Sequence, residues 1–190
     1  MYFKNKTVLI TGGASGIGQI MARKSLERGC KNLIIWDIDE LASQKTKDEF
    51  SKIGGEIFIF KVDISNVDEI RINAQKVRTE IGKVDILINN AGIVVGKYFH
   101  EHTHEQIQKS MQINANAAMH LTLEFLPEMM KENSGAVCNI ASSAGLISNP
   151  KMSVYAASKW SVVGWSDSLR LEMEQLGKNI SLTTIMPFYI

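Results

Sequence analysis

The sequence predicts an α/β fold: a doubly wound parallel sheet with helices on both faces. Three observations carry this. Short β-branched apolar runs alternate with longer amphipathic stretches along the whole chain. The runs are apolar at nearly every position, as in strands covered on both faces. Glycines cluster where the first run gives way to the first helical stretch, so the backbone there must turn sharply.

The elements follow in order. Thr7–Thr11 reads as the first strand, punctuated by Gly12 and Gly13. Residues 17–28 turn helical, with Ile17, Met21 and Leu26 on roughly one side. Residues 32–36 form a second strand. Residues 39–53 form a helix that Gly54 and Gly55 end. Residues 56–62 are a third strand, and Ser65 or Asn66 caps a helix running to Ile81 before Gly82. Residues 84–88 are a fourth strand. Residues 103–131 read as one long helix, disturbed in pattern at Pro127. Residues 136–140 are a fifth strand, residues 154–176 a long helix stopped by Gly177, and Ile180–Ile185 a sixth strand. Strand–helix alternation with right-handed crossovers gives Rossmann topology.

Composition narrows the function classes. The chain has 190 residues, 45 % hydrophobic and 22 % charged, which suits one globular domain. Its formal charge of +1 gives no electrostatic footprint for nucleic acid or an acidic membrane. No apolar run approaches the roughly 20 residues that span a bilayer. Only six residues precede Thr7, so no signal peptide or N-terminal membrane anchor is expected. Two cysteines are too few for a disulfide framework, and a reducing, cytoplasmic setting is expected.

The glycine loop points to a dinucleotide. Gly12, Gly16 and Gly18 lie between a strand and a helix, and lacking Cβ atoms they let backbone approach a pyrophosphate. The helix starting near Gly16 offers free N–H groups and a positive dipole end to that anion. Asp37 ends the second strand, 19 residues after Gly18, where a carboxylate meets the adenosine ribose hydroxyls. A carboxylate there repels a 2′-phosphate, and Ala14 and Ser15 supply no cation, which favours NAD over NADP. Asp39 is a rival to Asp37, with helix capping as its other role. Asp63 could hold the adenine edge or cap the following helix. Small residues at Asn90, Ala91 and Gly92 after the fourth strand allow a close approach to the same cofactor.

Tyr155 and Lys159 stand at i and i+4 on a helix, so they share a face. A tyrosine ordinarily keeps its proton to about pH 10, and a nearby ammonium eases its loss. Such a pair can take a proton from an alcohol or return one to a ketone. Ser142, 13 residues before Tyr155, could hydrogen-bond the substrate oxygen as charge develops.

These motifs, together and in this order, resemble the short-chain dehydrogenase/reductase family. The resemblance covers essentially the whole chain and rests on residues 11–18, Asp37, Asp63, residues 89–92, Asn114, Ser142, Tyr155, Lys159 and Pro187. It implies a catalytic tetrad of Asn114, Ser142, Tyr155 and Lys159. Tyr155 would be the acid/base, Ser142 would polarise the substrate oxygen, and Lys159 would bind the nicotinamide ribose and assist the tyrosine. Asn114 would hold a water linking Lys159 to solvent. Asn116 is a rival for Asn114 and Ser143 for Ser142; the spacing to Asn90 and to Tyr155 favours the first of each. The cofactor contacts implied are Gly12, Ser15, Gly16, Ile17, Gly18, Asp37, Asp63, Ile64, Asn90, Ala91, Gly92, Tyr155, Lys159 and Pro187.

The expected activity is an NAD-dependent hydride transfer between nicotinamide and an alcohol or ketone. The rivals are an NADPH-dependent carbonyl or 3-oxoacyl reductase and a dinucleotide-binding module without turnover. Family members typically have Pro-Gly after the sixth strand, whereas this chain has Pro187-Phe188, similar to the branch of retinol and hydroxysteroid dehydrogenases. Val94, Val95, Leu146, Met152, Phe188 and Tyr189 are expected on the substrate side, and their apolar character hints at an apolar substrate. His100, His102 and His104 alternate, but no carboxylate or cysteine set completes a metal site, and none is expected. Cys30 reads as a semi-exposed thiol. Trp160, Val163 and Trp165, with Met119, Leu121, Phe125 and Met129, are expected to line a subunit contact, and the resemblance implies a homodimer or homotetramer. A doubly wound domain ordinarily adds a helix and strand after its sixth strand. The expectation is therefore a single NAD-binding domain over residues 1–190 without its C-terminal substrate lid.

Overall fold

The structure, a computed structural model, describes residues 3–188. Six strands alternate with helices: β1 (Thr7–Thr11), α1 (Gly16–Glu27), β2 (Asn32–Asp37), α2 (Glu40–Phe50), β3 (Glu56–Lys61), α3 (Val67–Glu80) and β4 (Ile86–Asn89). After β4 come α4 (His104–Met111), α5 (Ala117–Lys131), β5 (Gly135–Ile140), α6 (Ser153–Gln175) and β6 (Ile180–Ile185). The strands form one parallel sheet in the order β3-β2-β1-β4-β5-β6. This is the Rossmann order, and the direction of winding reverses between β1 and β4.

Alternation along the central strands assigns the two faces. Leu9, Ile34 and Trp36 point to one side, where they pack with Ile70 and Val77 of α3, Leu121, Phe125 and Met129 of α5, and Leu169 and Met173 of α6. Val8, Ile10, Leu33 and Ile35 point to the other, against Ala22 and Leu26 of α1 and Phe50 of α2. Burial on both faces is why these strands read as unbroken apolar runs. At the amino ends of the strands, Asp85 accepts from the Thr7 amide at 2.9 Å and meets the Lys6 and Lys83 ammonium groups.

Several expectations are corrected. The stretch 103–131 is not one α-helix. A π-helical turn, Gln112–Asn116, separates α4 from α5, and Pro127 lies inside α5 without ending it. The second helix stops at Phe50, three residues early, because Phe50 seats in the core and the chain then turns through Gly54 (φ 119°) and Gly55 (φ 74°). Leu121, Phe125 and Met129 do not line a subunit surface: at i, i+4 and i+8 they form the stripe of α5 that covers the sheet, each at most 2 % exposed. Trp165 also packs on that core. Trp160, Leu123 and Leu171 remain exposed. Cys30 is buried, not semi-exposed, and burial pushes its thiol and that of Cys138 up to about 11.

Candidate active site

The strand order sets the loops after β1 and β4 side by side at the carboxyl edge of the sheet, because β1 pairs with β4. Hydrogen bonds stitch them together. The Thr11 hydroxyl accepts from the amides of Asn90 (3.0 Å) and Ala91 (3.1 Å). The Asn90 side chain donates back to the carbonyls of Thr11 (2.9 Å) and Gly12 (3.2 Å). Two glycines are demanded here for different reasons. Gly12 has φ 64°, which L residues rarely adopt. A Cβ on Gly18 would lie 2.0 Å from the Gly12 carbonyl oxygen, so α1 packs on the loop at backbone distance. Ser15 precedes α1 in extended conformation with no capping bond from its side chain, leaving the first N–H groups of the helix to a ligand.

A cleft of about 330 Å³ opens over these loops, walled by Gly12, Ser15, Asp37, Asp63, Ile64 and Ala91. Asp37 is fixed at its end: one carboxylate oxygen accepts from Ala14 N at 3.0 Å and the other from Asp39 N at 3.1 Å. Its rival Asp39 caps α2, accepting from Ala42 N at 2.9 Å. Asp63 accepts from the amide and hydroxyl of Ser65, while Asn66 caps α3.

The cleft continues through Ile17, Asn90 and Gly92 into a second cavity of about 370 Å³ that holds Ser142, Tyr155 and Lys159. Ser142 sits just past β5 and accepts from Ala144 N at 3.1 Å. Its loop is held from both sides. The Ser143 amide donates to the Pro187 carbonyl at 2.8 Å, and a Cβ on Gly145 would lie 3.0 Å from the Lys159 carbonyl oxygen. Tyr155 is half-buried on α6 and lines the cavity. The Lys159 ammonium lies 5.7 Å from its ring centre and donates to the Ile140 carbonyl at 2.8 Å. Lys159 is 4 % exposed, and burial pulls its pKa down to about 8.

Asn114, in the π turn, is the hub behind this pair. Its oxygen accepts from Ile93 N at 2.8 Å. Its nitrogen donates to the Ile93 carbonyl (2.9 Å) and the Ser158 hydroxyl (3.1 Å), which in turn donates to the Tyr155 carbonyl. A Cβ on Gly92 would meet the Asn114 oxygen at 3.2 Å and the Lys159 ammonium at 3.6 Å. Asn116 instead bonds Gln112 at 3.1 Å, away from the site. Ser143 lines the cavity beside Ser142.

On the substrate side, Val94, Met152 and Phe188 line the cavity, whereas Val95 and Leu146 do not. Leu146 points outward at 53 % exposure because the turn after Ser142 buries Ala144 and Gly145 instead. Tyr189 lies outside the described residues. Sequence reasoning placed Thr11 at the head of the glycine loop without giving it a role, and it missed Ser158 and Asn149. Thr11 reads as an ordinary strand end. Ser158 carried a signal, a serine on the buried stripe of α6 next to Lys159. Asn149 carried none.

The chain is similar to known proteins. A family profile described as short chain dehydrogenase matches residues 6–190. Estradiol 17-beta-dehydrogenase 11 of Macaca fascicularis is 38 % identical over 184 residues, covering 96 % of this chain and 61 % of that protein. Retinol dehydrogenase 10-B of Danio rerio is 29 % identical over 208 aligned positions, covering 98 % of this chain and 62 % of that protein. A solved structure, a short chain dehydrogenase/reductase from Burkholderia phymatum in complex with NAD, superposes with a TM-score of 0.95 at 31 % identity. That match covers 100 % of this chain and 68 % of the other. The chain thus spans less than two thirds of the length of these two curated relatives.

Proposed function

The chain belongs to the short-chain dehydrogenase family, and from that membership and the geometry of the cleft we propose that it is an NAD-dependent oxidoreductase. Its substrate is an apolar alcohol or the matching ketone. The observation that carries this reading is continuity: the glycine-floored cleft ending at Asp37 runs into the cavity that holds Ser142, Tyr155 and Lys159.

The residues fit a nicotinamide dinucleotide. The close packing of Gly18 on Gly12 leaves a backbone-level floor beside the free N–H groups of α1, suited to a pyrophosphate. Asp37, braced by two amides, presents negative charge to ribose hydroxyls and disfavours a 2′-phosphate. Gly92, facing Asn114 and Lys159, leaves room for the nicotinamide end. When bound, NAD supplies hydride acceptance and return at the nicotinamide ring.

The chain moves the proton. Tyr155 takes it from the alcohol in oxidation and gives it to the carbonyl oxygen in reduction. Ser142 donates a hydrogen bond to the same oxygen. Lys159, its ammonium 5.7 Å from the ring centre, stabilises negative charge on the tyrosine oxygen in surroundings where burial strengthens the effect. Asn114 holds the Gly92–Ile93 backbone against both.

The wall of Ile17, Val94, Ala144, Met152 and Phe188 supports an apolar substrate body. Buried free cysteines suit a cytoplasmic setting, and among the described residues no helix is long and apolar enough to cross a membrane. Exposed Leu123, Trp160 and Leu171 support a homodimer or homotetramer through α5 and α6.

Turnover of a panel of apolar secondary alcohols with NAD and with NADP tests the reading. Faster turnover with NAD is expected. Preference for NADP, or activity confined to sugars, would overturn it.

A further inference from the structure

On the oxidoreductase reading, most polar side chains of the substrate cavity are already committed. Ser142 and Tyr155 serve the reacting oxygen, Lys159 is bonded to Ile140 O, and Asn90 to the Thr11 and Gly12 carbonyls. Ser143 adjoins the reacting end. Asn149 is different. It is half-buried and lines the cavity, yet its side-chain amide has no hydrogen-bond partner among the described residues.

Its loop is held in place. The Asn149 carbonyl accepts from Met152 N at 3.3 Å. Lys151, at φ 63°, sets its ammonium 5.0 Å from the ring centre of Tyr98 on the loop after β4. A Cβ on Gly96 of that same loop would lie 4.0 Å from the Met152 methyl. Bracing of this kind fixes the backbone from which the Asn149 side chain projects. The same cavity is lined by apolar side chains that include Val94, Ala144 and Met152. An amide offers two donors and an acceptor. A substrate that covered it without a partner would leave those groups buried and unpaired, which costs affinity.

We propose that Asn149 is a specificity-determining residue that hydrogen-bonds a second oxygen function, hydroxyl or carbonyl, on an otherwise apolar substrate. The substrate class is then an apolar hydroxy-ketone, diketone or diol rather than a simple alcohol. This rests on the oxidoreductase reading and deepens it.

The test uses the full chain saturated with NADH. Matched straight-chain 2-ketones of roughly six to twelve carbons, ending in hydroxyl, methoxy or methyl, are compared by kcat/KM from the loss of NADH. At the length that spans the site, the hydroxyl-ended ketone is expected to show a kcat/KM about tenfold above that of the methyl-ended one. In Asn149→Leu that ratio falls to about one, with NADH affinity unchanged. Asn149→Asp keeps an acceptor and loses the donors, so it retains the preference for hydroxyl and loses any for methoxy. A purely structural residue would not split the two end groups. No preference at any length in the wild type, or a preference that survives in Asn149→Leu, overturns the proposal. Failure of the underlying reading shows separately, as no NADH binding or no hydride transfer to any ketone, and removes both.

Discussion

Lys159 is a charge held where charge is costly. An ordinary lysine titrates near 10.5, and burial lowers this one to about 8. Between those two pH values only the unfolded chain binds the proton, so stability rises with pH through that window; below about 8 the cost is felt in full. Lys159→Met is therefore expected to stabilise the protein by about 1–3 kcal/mol at pH 7, an advantage that fades as pH climbs towards 10.5. Denaturant melts at the two pH values check this, and equal gains at both would contradict it. The same variant is expected to lose turnover, since the ammonium near Tyr155 is gone. Asp37 acts through charge in the opposite sense. Asp37→Ala is expected to weaken NADH binding by about tenfold and to narrow or reverse its margin over NADPH, read by cofactor fluorescence. An unchanged margin would remove Asp37 from the ribose contact. The positions of both residues were legible in the sequence. Asp37 ends a strand at a telling distance from the glycines, and Lys159 stands one helical turn from Tyr155.

The π turn at Gln112–Asn116 shows where element-level reading ran out. One extra residue in a helical turn leaves the apolar periodicity on either side intact, so the sequence read 103–131 as continuous. Pro127 drew attention instead, although a proline on an exposed face of α5 does not end it. What the wide turn does is visible only with partners in place: it carries Asn114 to both backbone groups of Ile93 and to Ser158. π turns often mark functional sites for this reason. Asn114→Ala is expected to cost about 1–3 kcal/mol and to weaken NADH binding by loosening Gly92 and Ile93. Asn116→Ala, two residues on and with its side-chain amide bonded to Gln112, should stay within about 0.5 kcal/mol. Equal losses in both variants, by thermal melt and cofactor titration, would contradict the distinction.

At the scale of the molecule, function follows from strand order. The reversal between β1 and β4 puts two loops from distant parts of the chain in one crevice. Alternation of elements predicted that sheet. It did not predict the polar network buried behind it, because Asn89 and Asn139 look like strand-end residues until their partners are known. Asn89 donates to Asn139 and Thr122, and Asn139 to Ser166, tying β4 and β5 to α5 and α6. Removing one member leaves the others buried and unpaired, so Asn139→Ala is expected to cost about 2–4 kcal/mol in denaturant unfolding. A neutral result would show the network to be dispensable. The central claim is that the cleft delivers a hydride acceptor to an alcohol whose proton Tyr155 removes. Its most direct test is single-turnover formation of NADH from an apolar secondary alcohol, in the wild type and in Tyr155→Phe. The account predicts that the variant still binds NAD and that its rate is lower by about 10²-fold or more. Equal rates in the two proteins would contradict it.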